Sequence, residues 1–433
     1  MAGAKYNYDL VIVGGGIAGL SMACALVHEF KSNQQTLPRF ALLDAGSLAP
    51  QTPSMEKDLD QFDPRVSALT QYSCEFLRDL GVWESLQAFR FADFDSMTVW
   101  DGEGTAKIDF DSDPFEMRVS PMPVRLGSVV ENRLLVYALV QYLLKSKSVD
   151  LIDGVKVEKF ITGDSQSSAS HLIGKNGAEL ILDNGDLLRA GLVIAADGAR
   201  STVREAAGFE TREWDYGHDA IVCTVETEKP HQNTAWQCFT KHGPLAFLPL
   251  AVSGEHKVSS HVSSIVWSQT RNISKDLMSL DLEYFVAHLE REFEHRLGSI
   301  KACSQRFSFP LYQRHAIDYV SNSVVLLGDA AHSIHPLAGQ GINLGIKDAE
   351  CLAKLLAKDA SRNKPLGTMR SLGRYSRERK TDNLAMMALM EGFKRLFSPL
   401  PPPVVAIRNQ GMALTDKQRW LKRRIIRYAM GVS

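Results

Sequence analysis

Residues 9 to 19 read DLVIVGGGIAG, an apolar strand that runs directly into the triplet Gly14-x-Gly16-x-x-Gly19. Gly14 permits the tight turn after the strand, and Gly16 lets the main chain approach a pyrophosphate without a clashing Cβ. Gly19 lets the following helical segment, residues 20–30, pack closely on the strand. The helix N-terminus then presents free N–H groups and a partial positive charge to the phosphates. The stretch predicts a doubly wound α/β domain that binds a dinucleotide.

A second apolar strand, residues 40–44, ends in Asp44, where such units carry the acid that binds a ribose hydroxyl. Asp44 lies 25 residues after Gly19 (44 − 19), and an insert at residues 31–39 accounts for the excess over the usual ~20. An acid at this position favours a free ribose 2′-hydroxyl, as in FAD or NAD, over the 2′-phosphate of NADP.

Two later strands also end in turns of glycine and aspartate. Residues 192–196 precede Asp197-Gly198, and residues 323–327 precede Gly328-Asp329. Because a doubly wound sheet binds its ligand at the carboxyl ends of its strands, we expect both turns to lie at the nucleotide site. Isolated DG and GD dipeptides are common, but their order after the glycine fingerprint makes them informative.

The segments between these strands read as a separate sheet. Residues 96–110 alternate around a glycine turn like a hairpin, and four further strands are predicted. These strands are residues 220–227, 236–239, 245–250 and 262–267. Together they predict an antiparallel sheet inserted into the nucleotide-binding domain. From residue 371 onward the pattern is helical and basic, with a proline-rich break at 399–403.

The composition excludes several other classes of protein. The chain has 433 residues, enough for two or three domains, and its net charge of −1 gives no reason to expect binding to nucleic acid. Its six cysteines form no C-x-x-C pair, which favours reduced thiols over disulfides or a metal site. No window approaches ~18 uninterrupted apolar residues, and residues 1–9 do not resemble a signal peptide. We therefore expect a cytoplasmic protein, with at most peripheral membrane contact.

Three stretches of the chain carry a family resemblance. They are ADGARS at residues 196–201 with Arg204, GDAAH at 328–332 and HPLAGQGINLG at 335–345. They resemble the motifs of the FAD-dependent aromatic hydroxylases, typified by para-hydroxybenzoate hydroxylase. In that family the GD aspartate binds the ribityl chain and pyrophosphate of FAD, and the DG motif contacts both FAD and the nicotinamide donor. The resemblance implies FAD as the cofactor, Asp329 as its ribityl or pyrophosphate ligand, and Asp197 as a support of the site.

Further motifs narrow the resemblance. The run Asp63-x-Arg65-x-x-Ala68-Leu69 resembles that of the ubiquinone-biosynthesis hydroxylases, in which the arginine contacts the flavin-side loop; a surface salt bridge is the alternative. Matching runs are VENRLL at 130–135, WDYGHDA at 214–220, GPLAFLPL at 243–250 and RYSRERK at 374–380. Within the group the chain looks most similar to bacterial enzymes that hydroxylate C5 of 2-octaprenylphenol. Enzymes acting at C1 and C6 share most of these motifs, so the ring position stays open.

The resemblance implies an α/β fold like that of para-hydroxybenzoate hydroxylase. It comprises a Rossmann-like FAD-binding domain, an inserted antiparallel β-sheet substrate domain and a helical C-terminus. The predicted FAD-binding domain covers residues 1–92, 124–206 and 308–364, and the substrate domain covers 93–123 and 207–307. Residues 365–433 form the predicted C-terminal helical region.

The predicted cofactor site gathers residues from all these motifs. Glycines within 336–345 keep the approach to the flavin ring open, and the helix expected at about 342–356 should place Asp348 and Glu350 on its polar face. The predicted cofactor-binding residues are Gly14, Gly16, Gly19, Asp44, Arg65, Asn132, Asp197, Gly328, Asp329, Pro336, Gly339, Gly341, Ile342 and Asn343. No side chain is singled out as catalytic, because His332 and His335 are either bases or hydrogen-bonded structural groups.

The reaction implied by the resemblance inserts one oxygen atom from O2 into an electron-rich phenol ring, through a flavin C4a-hydroperoxide. Water must be excluded to protect that intermediate, which predicts an apolar chamber. Phe247, Leu248 and Pro249 are expected to form its wall opposite Pro336 and Gly339, with core packing as the alternative. The chain has no second glycine fingerprint, so electrons come either from NAD(P)H bound at the FAD or from a redox partner protein.

The resemblance implies a polyprenylphenol, O2 and a ubiquinone-biosynthesis protein complex as partners; peripheral contact with the inner membrane and a homo-oligomer are left open. The C-terminal stretch is basic and amphipathic, which favours docking on an anionic lipid surface or on an acidic partner; a solvated helix packed on the FAD-binding domain is the alternative. It carries Lys417, Arg419, Lys422, Arg423, Arg424 and Arg427, interleaved with Trp420, Leu421, Ile425, Ile426 and Tyr428. Two other classes of function compete with the hydroxylase: an FAD oxidase or dehydrogenase of another small aromatic, and a non-catalytic flavoprotein scaffold.

Overall fold

The computed structural model describes residues 6–49, 52–53, 58–87, 89–112, 125–162, 177–251, 260–333, 340–398 and 400–430. Within these residues the chain forms sheets of eight, nine and three strands, with helices packed against them. The α/β class and the helical C-terminus predicted from the sequence are confirmed. The predicted domain boundaries stay a prediction.

The eight-stranded sheet is built on the apolar strand that precedes the glycine triplet. β1 (Tyr6–Val13) pairs in parallel with β11 (Leu187–Ala195) on one side and with β2 (Phe40–Leu43) on the other. The parallel run continues from β2 to β8 (Asp150–Ile152) and from β11 to β19 (Val324–Leu326). These parallel strands consist largely of buried aliphatic residues, which is typical of strands that are covered on both faces of the sheet. Antiparallel strands complete the sheet: β9 (Val157–Thr162), β10 (Ala178–Leu182) and β18 (Val320–Ser321).

Long helices pack on this sheet and share its core. α1 (Ile17–Ser32) leads from β1 to β2, which confirms the predicted β-α-β unit, and it contacts both α4 (Asn132–Ser146) and α8 (Gln340–Ala360). The helix expected at about 342–356 is therefore confirmed, with a longer span. Three shorter helices are α2 (Gln71–Asp79), α3 (Trp83–Gln87) and α5 (Thr202–Ala206).

The nine-stranded sheet contains the hairpin and the four strands expected for the insertion. Its neighbouring strands are antiparallel except for β13 and β5, which run parallel. That pair differs from the prediction because the β5–β6 hairpin comes from a much earlier part of the chain and joins the edge of the sheet. The strands are β5 (Ser96–Asp101), β6 (Lys107–Asp111), β12 (Thr211–Thr227), β13 (Thr234–Thr240), β14 (Gly243–Pro249), β15 (Val262–Thr270), β16 (Ile300–Cys303), β17 (Phe307–Ala316) and β20 (His332–Ser333).

The two faces of the nine-stranded sheet belong to different cores. One face packs under α6 (Arg271–Ser279) and α7 (Leu282–Glu292), with Trp100 and Trp267 at its centre. The opposite face packs on the three-stranded sheet and contributes Leu248. That small antiparallel sheet consists of β3 (Val66–Thr70), β4 (Phe91–Phe94) and β7 (Gly127–Glu131).

Three helices end the described chain. α9 (Met369–Leu396) has Thr368 as its N-cap, whose side chain accepts a hydrogen bond from the Ser371 N–H. α10 (Pro402–Lys417) begins with prolines in its first turn, where their missing N–H groups are not needed. α11 (Arg419–Met430) follows after a single residue. Among the described residues, no helix combines the length and the apolar composition needed to cross a bilayer.

Candidate active site

The three fingerprint glycines are required for two different reasons. A Cβ on Gly14, which has a φ of +113°, would lie 2.3 Å from the Ala196 carbonyl oxygen, and a Cβ on Gly19 would lie 1.9 Å from the Gly14 oxygen. Those two positions need glycine for the packing of the protein itself. A Cβ on Gly16 would meet no atom of the described residues within 4 Å. The space in front of Gly16, at the N-terminus of α1, therefore fits a pyrophosphate group.

Asp44 fixes the turn that surrounds this space. Its Oδ2 accepts a hydrogen bond from the Gly15 N–H at 2.6 Å, and its Oδ1 accepts one from the Gly46 N–H at 2.7 Å. A carboxylate has about four acceptor sites, so each oxygen keeps capacity for a ribose hydroxyl. The predicted role of Asp44 is therefore compatible with its position at the end of β2.

The DG turn contains an unsatisfied carboxylate oxygen. Oδ2 of Asp197 accepts a hydrogen bond from the Val203 N–H at 3.2 Å, whereas its Oδ1 is buried and has no partner within the described part of the chain. Desolvation raises the pKa of Asp197. Because buried acceptors normally have a donor, this oxygen fits a ligand that donates a hydrogen bond.

Arg204 connects the DG turn to the GD turn. The guanidinium is almost completely buried, and it donates to the Ala330 carbonyl at 3.0 Å and to the Ala199 carbonyl at 2.9 Å. Two turns that are about 130 residues apart in sequence are thereby held at one edge of the eight-stranded sheet, as the order of motifs predicts.

Asp329 is accessible to solvent but closely surrounded by protein. Its side chain is exposed to solvent, yet it is surrounded by enough protein that desolvation raises its pKa, against the opposing effects of His332 and Arg65. Gly328 adopts a φ of +59°, which turns the chain so that Asp329 follows β19 in a short 3-10 helix. An accessible but deeply placed carboxylate can accept hydrogen bonds from the hydroxyls of a buried ligand.

A fully buried ion-pair network holds the GD turn from behind. Oδ2 of Asp348 accepts hydrogen bonds from the Gly328 N–H at 3.2 Å and from Nε2 of His332 at 2.6 Å. Its Oδ1 lies 2.8 Å from Nε of Arg379, which comes from α9. Burial opposes ionisation of Asp348, but His332 and Arg379 outweigh it and lower its pKa to about 2.

The prediction that Asp348 lies on the polar face of its helix was wrong. Asp348 is completely buried, because Arg379 and His332 supply the partners that a buried carboxylate needs. The neighbouring prediction agrees better with the structure, since Glu350 is half-buried and pairs with the exposed Lys354 at 2.6 Å. The pairing of Asp348 with Arg379 was not predicted, because helical periodicity carries no signal of it.

α9 is tied to the same region by two further hydrogen bonds from its inner face. The Tyr375 hydroxyl donates to the Leu326 carbonyl of β19 at 2.9 Å, and Lys380 donates to the Ile317 carbonyl. Tyr375, Arg379 and Lys380 all belong to the run at 374–380 that carried the family resemblance. This run therefore fixes α9 to β19, the strand that leads into the GD turn.

The two histidines considered as bases have different outcomes. His332 is buried, with Nε2 on Asp348 and with no partner for Nδ1 in the described part of the structure. This arrangement agrees with the structural alternative for His332. His335, Pro336 and Gly339 lie outside the described residues, and their predicted roles stay predictions.

The remaining predicted cofactor residues have different surroundings. Arg65 is exposed, lies over the Phe309 ring at 5.1 Å from its centroid, and is close enough to lower the pKa of Asp329. Asn132 begins α4 and accepts a hydrogen bond from the Ser67 hydroxyl at 2.6 Å. Within the described part of the chain, a Cβ on Gly341 would meet nothing within 4 Å, as at Gly16.

Both polar atoms of the Asn343 side chain form hydrogen bonds within the protein. Its Oδ1 accepts from the Thr70 N–H at 2.9 Å and from the Ser73 hydroxyl at 2.7 Å, and its Nδ2 donates to the Ala68 carbonyl at 2.9 Å. The buried side chain thereby joins α8 to β3 and α2. Contacts of Asn343 and of the half-buried Ile342 with FAD stay predictions. Because the side chain of Asn343 is used within the protein, its main-chain atoms would make the contact with FAD.

The predicted chamber wall is divided between the two faces of β14. Phe247 is buried in the core under α7 and stacks on Phe293, with ring centroids 3.6 Å apart. Leu248 lies on the opposite face, in the core shared with Phe62 and Ala68. The expectation that both residues form one wall was wrong, because successive residues of a strand point to opposite sides. Leu248 and Pro249 are both buried, and any role of theirs in the chamber stays a prediction.

A glycine cradle at Gly16, an accessible Asp329 at the end of a parallel strand and a nine-stranded inserted sheet are the features of an FAD-dependent enzyme. Comparison with known proteins agrees with this class. Residues 53–388 match the family model described as an FAD binding domain. The chain belongs to the family of FAD-dependent aromatic-ring hydroxylases, which includes the ubiquinone biosynthesis monooxygenases.

Three relatives show how far this similarity extends. The chain is 33% identical to the ubiquinone biosynthesis monooxygenase COQ6 of Xenopus tropicalis, over 98% of this chain and 93% of that protein. It is equally identical to the 3-demethoxyubiquinol 3-hydroxylase of Escherichia coli, over 98% of both chains. The ubiquinone hydroxylase UbiL of Rhodospirillum rubrum is also 33% identical, over 98% of this chain and 89% of the relative.

Solved structures with lower sequence identity share the fold. The p-nitrophenol 4-monooxygenase PnpA of Pseudomonas putida superposes with a TM-score of 0.72 at 20% identity, covering 98% of this chain and 97% of PnpA. PqsL of Pseudomonas aeruginosa, in complex with 2-aminobenzoylacetate, gives a TM-score of 0.71 at 16% identity, covering 95% of this chain and all of PqsL.

Proposed function

We propose that this enzyme hydroxylates the aromatic ring of a polyprenylphenol intermediate of ubiquinone biosynthesis, at C5. The observation that carries the pathway assignment is the similarity along 98% of the chain to relatives named for ubiquinone biosynthesis, in bacteria and animals. The position C5 rests on the motif resemblance alone. Hydroxylation at C6 or C1 is the alternative within the same pathway.

The described residues fit FAD, and each part of the site would bind a different part of the cofactor. The N-terminus of α1 with Gly16 would bind the pyrophosphate, Asp44 the ribose, and Asp329 the ribityl hydroxyls. FAD, when bound, supplies the activation of O2 and the transfer of one oxygen atom. The protein contributes position and the exclusion of water.

The face of the inserted sheet that carries Leu248 supports the exclusion of water. Side chains on this face include Ala246, Leu248 and Val266, and Ala220 and Leu311 form an adjoining apolar cluster. A largely apolar surface favours binding of a phenol ring and disfavours hydrolytic side reactions. We propose that the phenol ring binds beside this face, on the side of the GD turn.

The electron donor is NAD(P)H or a redox partner protein, since the sequence contains one glycine fingerprint. We further propose that the enzyme works with other ubiquinone-biosynthesis proteins, because its substrate is an intermediate that they produce and consume. An oxidase or dehydrogenase, or a flavoprotein without catalysis, would fit the same FAD site but not the hydroxylase relatives.

Deletion of the gene from its host tests the proposed function. The expected result is accumulation of a polyprenylphenol that lacks the C5 hydroxyl, identified by mass spectrometry and NMR of the lipid extract. Re-expression of the wild type should restore ubiquinone, whereas Gly16→Val should not. Accumulation of an intermediate that lacks the C6 or C1 hydroxyl would contradict the ring position, and normal ubiquinone would contradict the pathway.

A further inference from the structure

The exposed side of α10 is almost free of polar groups. Between residues 401 and 414 ten residues are exposed, and Gln410 is the one polar residue among them. The charged residue in this stretch, Arg408, is buried in a bidentate ion pair with Asp101 at 2.8 Å. The exposed residues are Pro401, Pro402, Pro403, Val404, Ala406, Ile407, Gln410, Gly411, Ala413 and Leu414.

This apolar side is unusual for the molecule as a whole. Of the twelve large apolar side chains that are exposed in the described part of the chain, three lie on α10, namely Val404, Ile407 and Leu414, and Trp420 lies on α11. Ile407 is 68% exposed and Leu414 is 62% exposed, and their spacing of seven residues puts them on the same side of α10. A contiguous exposed apolar surface of this kind marks a site of interaction.

α11 adds positive charge directly beside this surface. Its residues 419–430 include five basic residues and no acidic residue. Trp420, which is 64% exposed, shares one exposed stripe of α11 with Arg424 and Arg427 at spacings of four and seven residues. Exposed tryptophan together with arginine is typical of helices that lie in the interface of a membrane.

Both helices are hydrogen-bonded to the β5–β6 hairpin of the nine-stranded sheet. Asn409 accepts a hydrogen bond from the Ala106 N–H at 3.0 Å, and Lys422 donates to the Asp109 carbonyl at 2.8 Å. Ile426 packs against the core that contains Leu248. The packed side of α11 is thus occupied, and its exposed side is presented next to the sheet that faces the proposed substrate site.

We infer that the exposed sides of α10 and α11 form a surface that docks on an anionic lipid bilayer. The apolar side of α10 enters the interface between headgroups and acyl chains, and the arginines of α11 bind the anionic headgroups. The choice of a bilayer rests on this charge complementarity and on the proposed function, whose polyprenyl substrate resides in lipid. A protein partner or a second copy of this chain is the competing occupant.

Flotation of the FAD-loaded protein with vesicles tests the inference. The wild type should bind vesicles of phosphatidylcholine with phosphatidylglycerol, and it should bind those of phosphatidylcholine alone much more weakly. The doubly substituted variants Ile407→Ser/Leu414→Ser and Arg419→Glu/Arg424→Glu should each lower vesicle partitioning at least ~10-fold. Raised salt should weaken wild-type binding, because it screens the charges of the arginines.

Matched controls introduce serine or glutamate at exposed apolar or basic residues elsewhere on the surface. Leu282→Ser/Tyr284→Ser changes two exposed apolar residues of α7, and Lys145→Glu/Lys358→Glu reverses two exposed charges. These controls should float like the wild type. All variants should keep their FAD content and their turnover of a water-soluble, short-tail phenol, whereas long-tail turnover in vesicles should fall in the docking variants alone.

Several results would overturn the inference. They are failure of the wild type to float, equal binding to neutral vesicles, and unchanged flotation of Ile407→Ser/Leu414→Ser. Conversion of a wild-type dimer to a monomer by that variant, with flotation unchanged, would assign the surface to self-association instead. If the wild type hydroxylates no phenol, the proposed function fails, but flotation still decides the docking surface.

Discussion

Replacement of Arg379 by methionine tests the buried network behind the GD turn. Arg379→Met keeps most of the side-chain volume but leaves Asp348 with His332 and the Gly328 N–H as its partners. Removal of one partner of a buried ion pair typically costs ~3–5 kcal/mol, because a charge stays buried without compensation. We expect a loss of this size in the free energy of unfolding, and weaker FAD binding because the GD turn loses its support.

The pH dependence of the same variant follows from the pKa of Asp348. The native value of about 2 lies below the ordinary value of 3.8, so ionised Asp348 stabilises the fold above pH ~4 and this contribution is lost as the pH falls toward 2. The pKa of Asp348 is lowered from 3.8 to about 2, and each pKa unit is worth about 1.36 kcal/mol, so ionised Asp348 contributes about 2 kcal/mol to the free energy of unfolding. Without Arg379 the pKa rises, so the acid-induced loss of stability should begin at higher pH.

Urea unfolding followed by circular dichroism and flavin fluorescence measures both effects. Arg377→Met, two residues away on the exposed side of α9, is the matched control and should change stability by less than ~0.5 kcal/mol. Asp348→Asn/Arg379→Met should be more stable than Arg379→Met by at least ~1 kcal/mol, because it removes the uncompensated charge. Equal effects of Arg377→Met and Arg379→Met, or strictly additive effects in the double variant, would refute the reasoning.

The remaining predictions concern FAD binding. Gly16→Val should fold but retain no FAD, measured as flavin absorbance per protein, whereas Gly19→Val should yield little folded protein, because its Cβ would lie 1.9 Å from the Gly14 oxygen. Asp329→Ala removes a charged acceptor worth ~1.5–3 kcal/mol, so the Kd for FAD should rise about 10- to 150-fold; an unchanged Kd would make Asp329 a turn residue only. The ionised carboxylate is the better acceptor, so FAD affinity should fall as the pH drops through the raised pKa of Asp329. Arg65→Gln, by raising that pKa further, should move the fall to higher pH.

The parts of the fold that depend on local sequence were predicted well. The glycine triplet, the strand before it and Asp44 lie within one β-α-β unit, and the parallel pairing of β1 and β2 follows from it. The DG and GD turns could be assigned to one place because carboxyl ends of parallel strands meet at one edge of a sheet. β11 and β19 indeed pair in parallel there.

The parts that depend on contacts between distant residues were missed. Asp348 reads as a residue of a solvated helix face, and its partner Arg379 lies in another helix, so the sequence alone gives no sign of the pair. The separation of Phe247 from Leu248 was available from strand alternation and should have been predicted. The parallel pairing of β13 with β5 depends on where an earlier hairpin docks, and local patterns do not specify this.

The central claim is that the enzyme transfers one atom of O2 to the ring of a polyprenylphenol. The most direct measurement is turnover of a short-tail 2-prenylphenol under ¹⁸O2, with a reduced nicotinamide or a reducing partner as electron donor and mass spectrometry of the product. We predict one ¹⁸O atom in a new hydroxyl at C5, and no label when the reaction is run in H2¹⁸O under unlabelled O2. Consumption of O2 that yields H2O2 without a labelled phenol would contradict the claim and would indicate an oxidase.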